Sequence, residues 1–133
     1  FSVIGHSAGG FLAAKAAIAL DANGFPLESQ ILLCPWTTGL PKTVSSTLAP
    51  AFFSLGGADA ILQESSQYQE VLKAPYTVKE YEGGEHPFIH SPYPEFQKGL
   101  SAEEKAVFAN EEQFALSYQA ENDIKEWLNS LWE

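Results

Sequence analysis

Apolar residues along the chain come in short unbroken runs separated by turn-rich polar stretches. The first, Phe1–Ile4, stops at Gly5. Ala8–Leu20 follows, rich in alanine and nearly free of charge, with Phe11, Leu12, Ile18 and Leu20 spread over most sides. The pair predicts a strand that breaks sharply into a helix, and a helix apolar all round belongs in an interior. Ser29–Cys34 contains QILLC, a second continuous run, closed by Pro35, and fits a central parallel strand covered on both faces. Residues 36–48 read as a loop. Ala51–Leu55 is another apolar run, ending in Gly56-Gly57, and Tyr76–Tyr81 is a further candidate strand, ending in Glu82-Gly83-Gly84.

Helical spacing returns between and after these runs. Ser65–Lys73 predicts a helix with Tyr68, Val71 and Leu72 on one side. Residues 87–100, crowded with aromatics and prolines, predict a loop. Ser101 followed by Glu104 is a capping-box pattern for a helix start. From Glu111 to Trp132 the tail predicts an amphipathic helix, with Ile124, Trp127, Leu128 and Leu131 as the stripe that covers a sheet.

Strands alternating with helices predict an α/β fold, a mostly parallel sheet of about four strands flanked by helices. At 133 residues the chain forms one globular unit at most. Phe1 begins inside an element, and a two-sided strand needs neighbours on both edges. The chain is therefore expected to be the C-terminal portion of a larger domain, with its N-terminal strands absent, since complete α/β domains commonly reach ~200–250 residues. A complementing chain, a domain swap or the first half of the same domain is the expected partner along that edge.

Charge and cysteine content narrow the chemistry only a little. The net charge of −10 argues against nucleic acid as partner. No apolar run approaches ~18 residues, so no membrane-spanning helix and no membrane partner is expected. The single cysteine, Cys34, excludes an intrachain disulfide and leaves the compartment open; at the end of a buried strand it reads as a small core residue.

The candidate chemistry begins at Gly5-His6-Ser7-Ala8-Gly9, a G-x-S-x-G pattern between a strand and a helix. Mechanically this is a tight turn in which Gly5 and Gly9 let strand and helix approach, and which presents Ser7 at the carboxyl edge of the sheet. The helix start offers backbone N–H groups, and the Ala8 amide is a candidate oxyanion donor. The competing reading is a Gly/Ser-rich turn that binds nothing or binds phosphate, but no G-K-[ST] or G-x-G-x-x-G accompanies it.

A serine nucleophile needs a base, and the base needs a carboxylate. His86 follows the Tyr76–Tyr81 run across Gly83-Gly84 and so sits at a carboxyl strand end. His6 adjoins Ser7 and is aimed elsewhere by the turn, and His90 lies deeper in an aromatic loop. Asp59 follows the Ala51–Leu55 run, again at a carboxyl strand end, whereas Asp21 closes a helix on the opposite edge and Asp123 lies on the polar face of the last helix. The expected catalytic set is Ser7, Asp59 and His86, in the chain order Ser, Asp, His. Trp36, Phe88 and Tyr93 are candidates for a substrate pocket.

The segments GHSAGG (5–10), AFFSLGGADAIL (51–62) and YEGGEHPF (81–88) together resemble the C-terminal half of an α/β-hydrolase of the dienelactone hydrolase type. The resemblance runs in order over essentially the whole chain. It implies that Ser7 stands where that family carries a cysteine, with Asp59 as acid and His86 as base. The serine departs from a strict dienelactone hydrolase and is similar to the wider family's serine esterases. The family's second oxyanion donor comes from a loop of the first half of the domain, which lies outside these residues.

The function this implies is hydrolysis of a small-molecule carboxylic ester through a covalent acyl-enzyme, with no metal or organic cofactor. A peptidase or an acyltransferase using the same triad, or a non-catalytic piece that binds a partner chain, are the alternatives.

Overall fold

The computed structural model describes residues 1–132. Four strands, β1 (Ser2–His6), β2 (Ser29–Leu33), β3 (Ala51–Gly56) and β4 (Tyr76–Tyr81), lie in the order β1-β2-β3-β4. β1 pairs parallel to β2 with Ile4 opposite Ile31, and β2 pairs parallel to β3 with Ile31 opposite Phe52. Ala51 donates to the Pro75 carbonyl (3.1 Å) and Gly57 to the Tyr81 carbonyl (2.8 Å). Both chains advance equally between these bonds, so β4 is parallel to β3 as well. Every residue of β2 and β3 is buried, which is why both are mostly apolar, with Ser29, Gln30 and Ser54 as enclosed polar exceptions. The edge strands β1 and β4 are far more exposed.

The chain divides into two compact units: Phe1–Leu55 with Ile61–Glu80, and Gly56–Ala60 with the chain from Tyr81 onward. In the first, helix α1 (Ala8–Ala22) follows β1 directly. It buries only Gly10, Ala13, Ala14 and Ala17, while Leu12 and Leu20 are exposed. The expectation of an interior helix is thereby corrected: small residues let one narrow face pack closely, and the larger apolar side chains lie off that face. The core of this unit gathers Leu32, Phe53, Leu55 and Tyr68, joined by Leu40, Val44 and Leu48 from the irregular 36–48 segment. Phe53 meets the rings of Tyr68 and Tyr76 at centroid distances of 6.3 and 6.1 Å.

The helix expected over Ser65–Lys73 is instead a short α2 (Leu62–Ser66) running into a 3₁₀ turn (Gln67–Val71). Ser66 Oγ donates to the Leu62 carbonyl at 2.9 Å and the Thr37 hydroxyl to the Glu64 carbonyl. Side-chain hydroxyls thus compete for carbonyls that a continuing helix needs.

The second unit holds a 3₁₀ turn (Phe88–His90), α3 (Pro94–Gln97), α4 (Ala102–Phe108) and the long α5 (Glu111–Ser130). Residues 87–100 are thus more ordered than the loop expected there. The Ser101 capping box is present: Ser101 Oγ accepts from Glu104 N–H at 3.1 Å, and the Glu104 carboxylate accepts from Ser101 N–H at 3.0 Å. These bonds hold the Glu104 carboxyl below its ordinary range. On α5 the predicted stripe of Ile124, Trp127, Leu128 and Leu131 is only half-buried. The deepest positions are Gln113, Ser117 and Ala120, earlier on the same face, and the helix packs on the Phe88–His90 turn.

Candidate active site

Ser7 closes β1 and opens α1 with φ 57° and ψ −118°, a conformation that L-residues with a side chain rarely hold. Neighbouring backbone fixes it there. Ser7 N–H donates to the Leu33 carbonyl (3.0 Å), and the Ser7 carbonyl accepts from the amides of Gly10, Phe11 and Trp36 at 2.9–3.2 Å. Its side chain makes no capping bond to the helix. Ala8 is the first helical residue, so its N–H has no intrahelical carbonyl to bond and stands at the positive end of the helix dipole.

The glycines of this turn divide their work differently from the sequence reading. A Cβ on Gly5 would lie 2.0 Å from the Gly9 carbonyl oxygen, and one on Gly10 would lie 2.6 Å from Pro35 Cβ. A Cβ on Gly9 would meet nothing within 4 Å. Gly5 and Gly10 are therefore sterically required, while Gly9 matters through its backbone.

In the second unit, Asp59 and His86 meet. His86 Nδ1 lies 2.7 Å from Asp59 Oδ2. An ionised carboxylate can only accept, so in this contact Nδ1 is the donor. The Asp59 side chain is 1% exposed and the imidazole 31%, which puts the carboxyl inside and the imidazole nearer the surface of this unit. The loops carrying them are knit through the backbone: Gly57 N–H donates to the Tyr81 carbonyl (2.8 Å) and Ala58 N–H to that of Gly84 (2.9 Å). A Cβ on Gly56 would come within 2.4 Å of the Gly84 carbonyl oxygen, so only glycine permits the approach.

The remaining candidates take other places. Asp21 accepts from the Thr47 hydroxyl, and Asp123 accepts from the buried Tyr81 hydroxyl at 2.7 Å. Burial, reinforced by Asp123, drives the Tyr81 phenol well above its ordinary range. His90 is half-buried with its ring 6.3 Å from that of Phe96. Burial, and then the charge His86 can carry, hold its imidazole below the usual value. Trp36 is partly exposed and its amide is bonded to the Ser7 carbonyl. Tyr93 is exposed, and its hydroxyl donates to Glu121 on α5. Phe88 has no exposed surface, and its ring lies 5.4 Å from that of Tyr81, tilted by 50°. Its expected place in a pocket wall is corrected to one in the packing beneath the His86 loop. Cys34 is buried, as expected of a core residue, though its φ of 41° is unusual. An open cleft of about 600 Å3 in the first unit, lined by Thr38, Lys42, Tyr68 and Glu70 among others, includes neither Ser7 nor Trp36.

Two residues on α5 escaped the sequence reading. Gln113 Nε2 donates to the Gly83 carbonyl (2.8 Å), and its Oε1 accepts from Glu85 N–H (2.9 Å). Ser117 Oγ donates to the Ile89 carbonyl at 2.7 Å. Both sit on the buried face of the helix, where a polar residue breaks the apolar stripe. That break is the signal that could have found them.

No protein-family model and no curated protein matches the sequence. Solved structures do match in shape. An α/β hydrolase, MGS-M1, from a Medee basin deep-sea metagenome superposes with TM-score 0.70 at 18% identity, covering 98% of this chain and 53% of that one. A hyperthermophilic esterase from the archaeon Pyrobaculum calidifontis gives TM-score 0.59 at 21% identity, covering 90% and 52%. A fungal esterase from Rhizomucor miehei gives 0.60 at 18% identity, covering 81% and 52%. The chain spans about half the length of the solved structures it matches. At these identities the likeness is one of fold, and the fold of this chain is that of part of an α/β-hydrolase.

Proposed function

We propose that the chain supplies the nucleophile, acid and base of a serine hydrolase that cleaves small-molecule carboxylic esters. The observation that carries this reading is the Asp59–His86 pair: a buried carboxylate fixes the tautomer of a half-exposed imidazole at 2.7 Å. The strained Ser7 turn supports it, because strain held in place by several backbone bonds is a feature of reactive sites.

In the proposed reaction, Ser7 Oγ attacks the ester carbonyl carbon while His86 Nε2 takes its proton. Asp59 stabilises the imidazolium that results. The Ala8 amide is one donor to the tetrahedral oxyanion. The C–O bond of the ester then breaks, His86 returns the proton to the departing alkoxide, and an acyl-serine remains. Water, deprotonated by His86, releases the acid and restores Ser7. Trp36, bonded through its amide to the Ser7 carbonyl, is the proposed side of the acyl pocket. The finer assignment, a dienelactone hydrolase-like serine esterase, rests on the three motif segments. A second oxyanion donor is proposed to come from outside these residues, from the rest of the same domain or from a complementing chain.

The test is labelling with a fluorophosphonate probe together with turnover of a short-chain p-nitrophenyl ester. Together with the residues that supply the second oxyanion donor, wild type should label at Ser7 and turn over, and Ser7→Ala and His86→Ala should do neither. Unchanged turnover in Ser7→Ala would end the proposal.

A further inference from the structure

We propose that Gln113 is a positioning residue for His86, clamping the base-bearing loop onto α5; this rests on the reading of His86 as general base. His86 lies between two fixed stretches of loop. On its N-terminal side, the Gln113 carboxamide spans Gly84, taking the Gly83 carbonyl with Nε2 (2.8 Å) and the Glu85 N–H with Oε1 (2.9 Å). On its C-terminal side, one helical turn further along α5, Ser117 Oγ holds the Ile89 carbonyl at 2.7 Å. The backbone that carries the imidazole is thus pinned to one rigid helix at residues 83, 85 and 89.

The clamp is itself fixed. Gln113 is 2% exposed, and its own N–H donates to the side chain of Asn110, the residue that caps α5, at 3.0 Å. Only one orientation of its carboxamide matches a donor to a carbonyl and an acceptor to an amide. Burying such a group is costly unless both ends are bonded, and an apolar residue fills the same space without that cost. A glutamine here is explained by what it holds. Placing an imidazole to within a fraction of an ångström matters because a ~1 Å error in a reacting group can cost about 100-fold in rate.

Gln113→Met keeps the volume and removes both bonds. In the full chain it should still unfold cooperatively. The kcat for a p-nitrophenyl ester should fall roughly 10- to 100-fold with KM within about twofold, since an effect on the placed base appears in kcat. The His86 side-chain 15N resonances should shift or double in the unliganded variant. A second reading comes from wild type: the Glu85 amide should exchange with deuterium as slowly as amides in the middle of α5.

A folded Gln113→Met with wild-type kcat and wild-type His86 resonances overturns the clamp. So does rapid exchange at Glu85, which also decides the matter should the variant fail to fold. If His86→Ala retains full turnover, the hydrolase reading fails separately, and the His86 resonances and Glu85 exchange still report on the clamp.

Discussion

Asp59 and His86 are joined by a 2.7 Å hydrogen bond in which the acid is almost wholly enclosed and the imidazole is not. The contact sets which nitrogen carries the proton. Asp59→Asn can keep the shape but offers an amide that donates as well as accepts, so Nδ1 no longer has to hold the proton. Ester turnover should fall by about 10^3–10^4, and 15N spectra of His86 should show the tautomer changing from Nδ1–H to Nε2–H. A variant with both properties unaltered would remove Asp59 from the mechanism.

The backbone at Ser7 gives a prediction that needs no substrate. Glycine accepts φ 57° without strain, and alanine does not. Ser7→Ala and Ser7→Gly should both lose turnover, yet the glycine variant should be more stable than the alanine variant by about 1–3 kcal/mol in urea unfolding. Equal midpoints for the two variants would show that the turn relaxes without its hydroxyl.

Two glycines of the same motif should respond in opposite directions. Gly5→Ala drives a methyl to 2.0 Å from the Gly9 carbonyl, a collision of backbone with side chain that no rotamer relieves. It should destabilise by upward of about 4 kcal/mol or prevent folding. Gly9→Ala places a methyl in open space on a helix and should stabilise by up to about 1 kcal/mol. Thermal melts of the two variants check the pair.

His90 and Tyr81 predict opposite limbs of the pH–stability profile. Burial lowers the His90 value in the folded protein below its usual 6.5. The unfolded chain therefore binds the proton first, and stability should be lost as pH falls below that value. Burial and Asp123 raise Tyr81 above its usual 10.0. There the unfolded chain releases the proton first, and stability should be lost as pH rises past that value. His90→Phe should flatten the acid limb and Tyr81→Phe the alkaline one, as read from urea midpoints across pH.

Much of the fold is legible because burial on both faces leaves an unmistakable mark. β2 and β3 are mostly apolar stretches with every residue enclosed, and the elbow between β1 and α1 is announced by its own motif. Asp59 and His86 are legible for a topological reason, since each lies just past a strand end in a parallel sheet. What escapes is where the polar residues work inward. The Ser65–Lys73 periodicity looks helical, but hydroxyls of Thr37 and Ser66 take its carbonyls. The apolar stripe on α5 points to Ile124 and Trp127, whereas Gln113 and Ser117 are buried deeper because they bond a loop, and only as a break in the stripe do they show in the pattern. Leu12 misleads in the opposite sense, an apolar residue on an exposed face.

The backbone bonds that tie the Asp59 loop to the His86 loop carry a consequence for how this region opens. Gly57 and Ala58 give their amide hydrogens to Tyr81 and Gly84, so neither loop can leave its place while the other stays. Asp59 and His86 then belong to a single cooperative opening event, with one free energy governing the exchange of the Gly57 and Ala58 amides. Warming or denaturant should take the pair from assembled to absent without a populated state in which Asp59 is in place and its histidine is not.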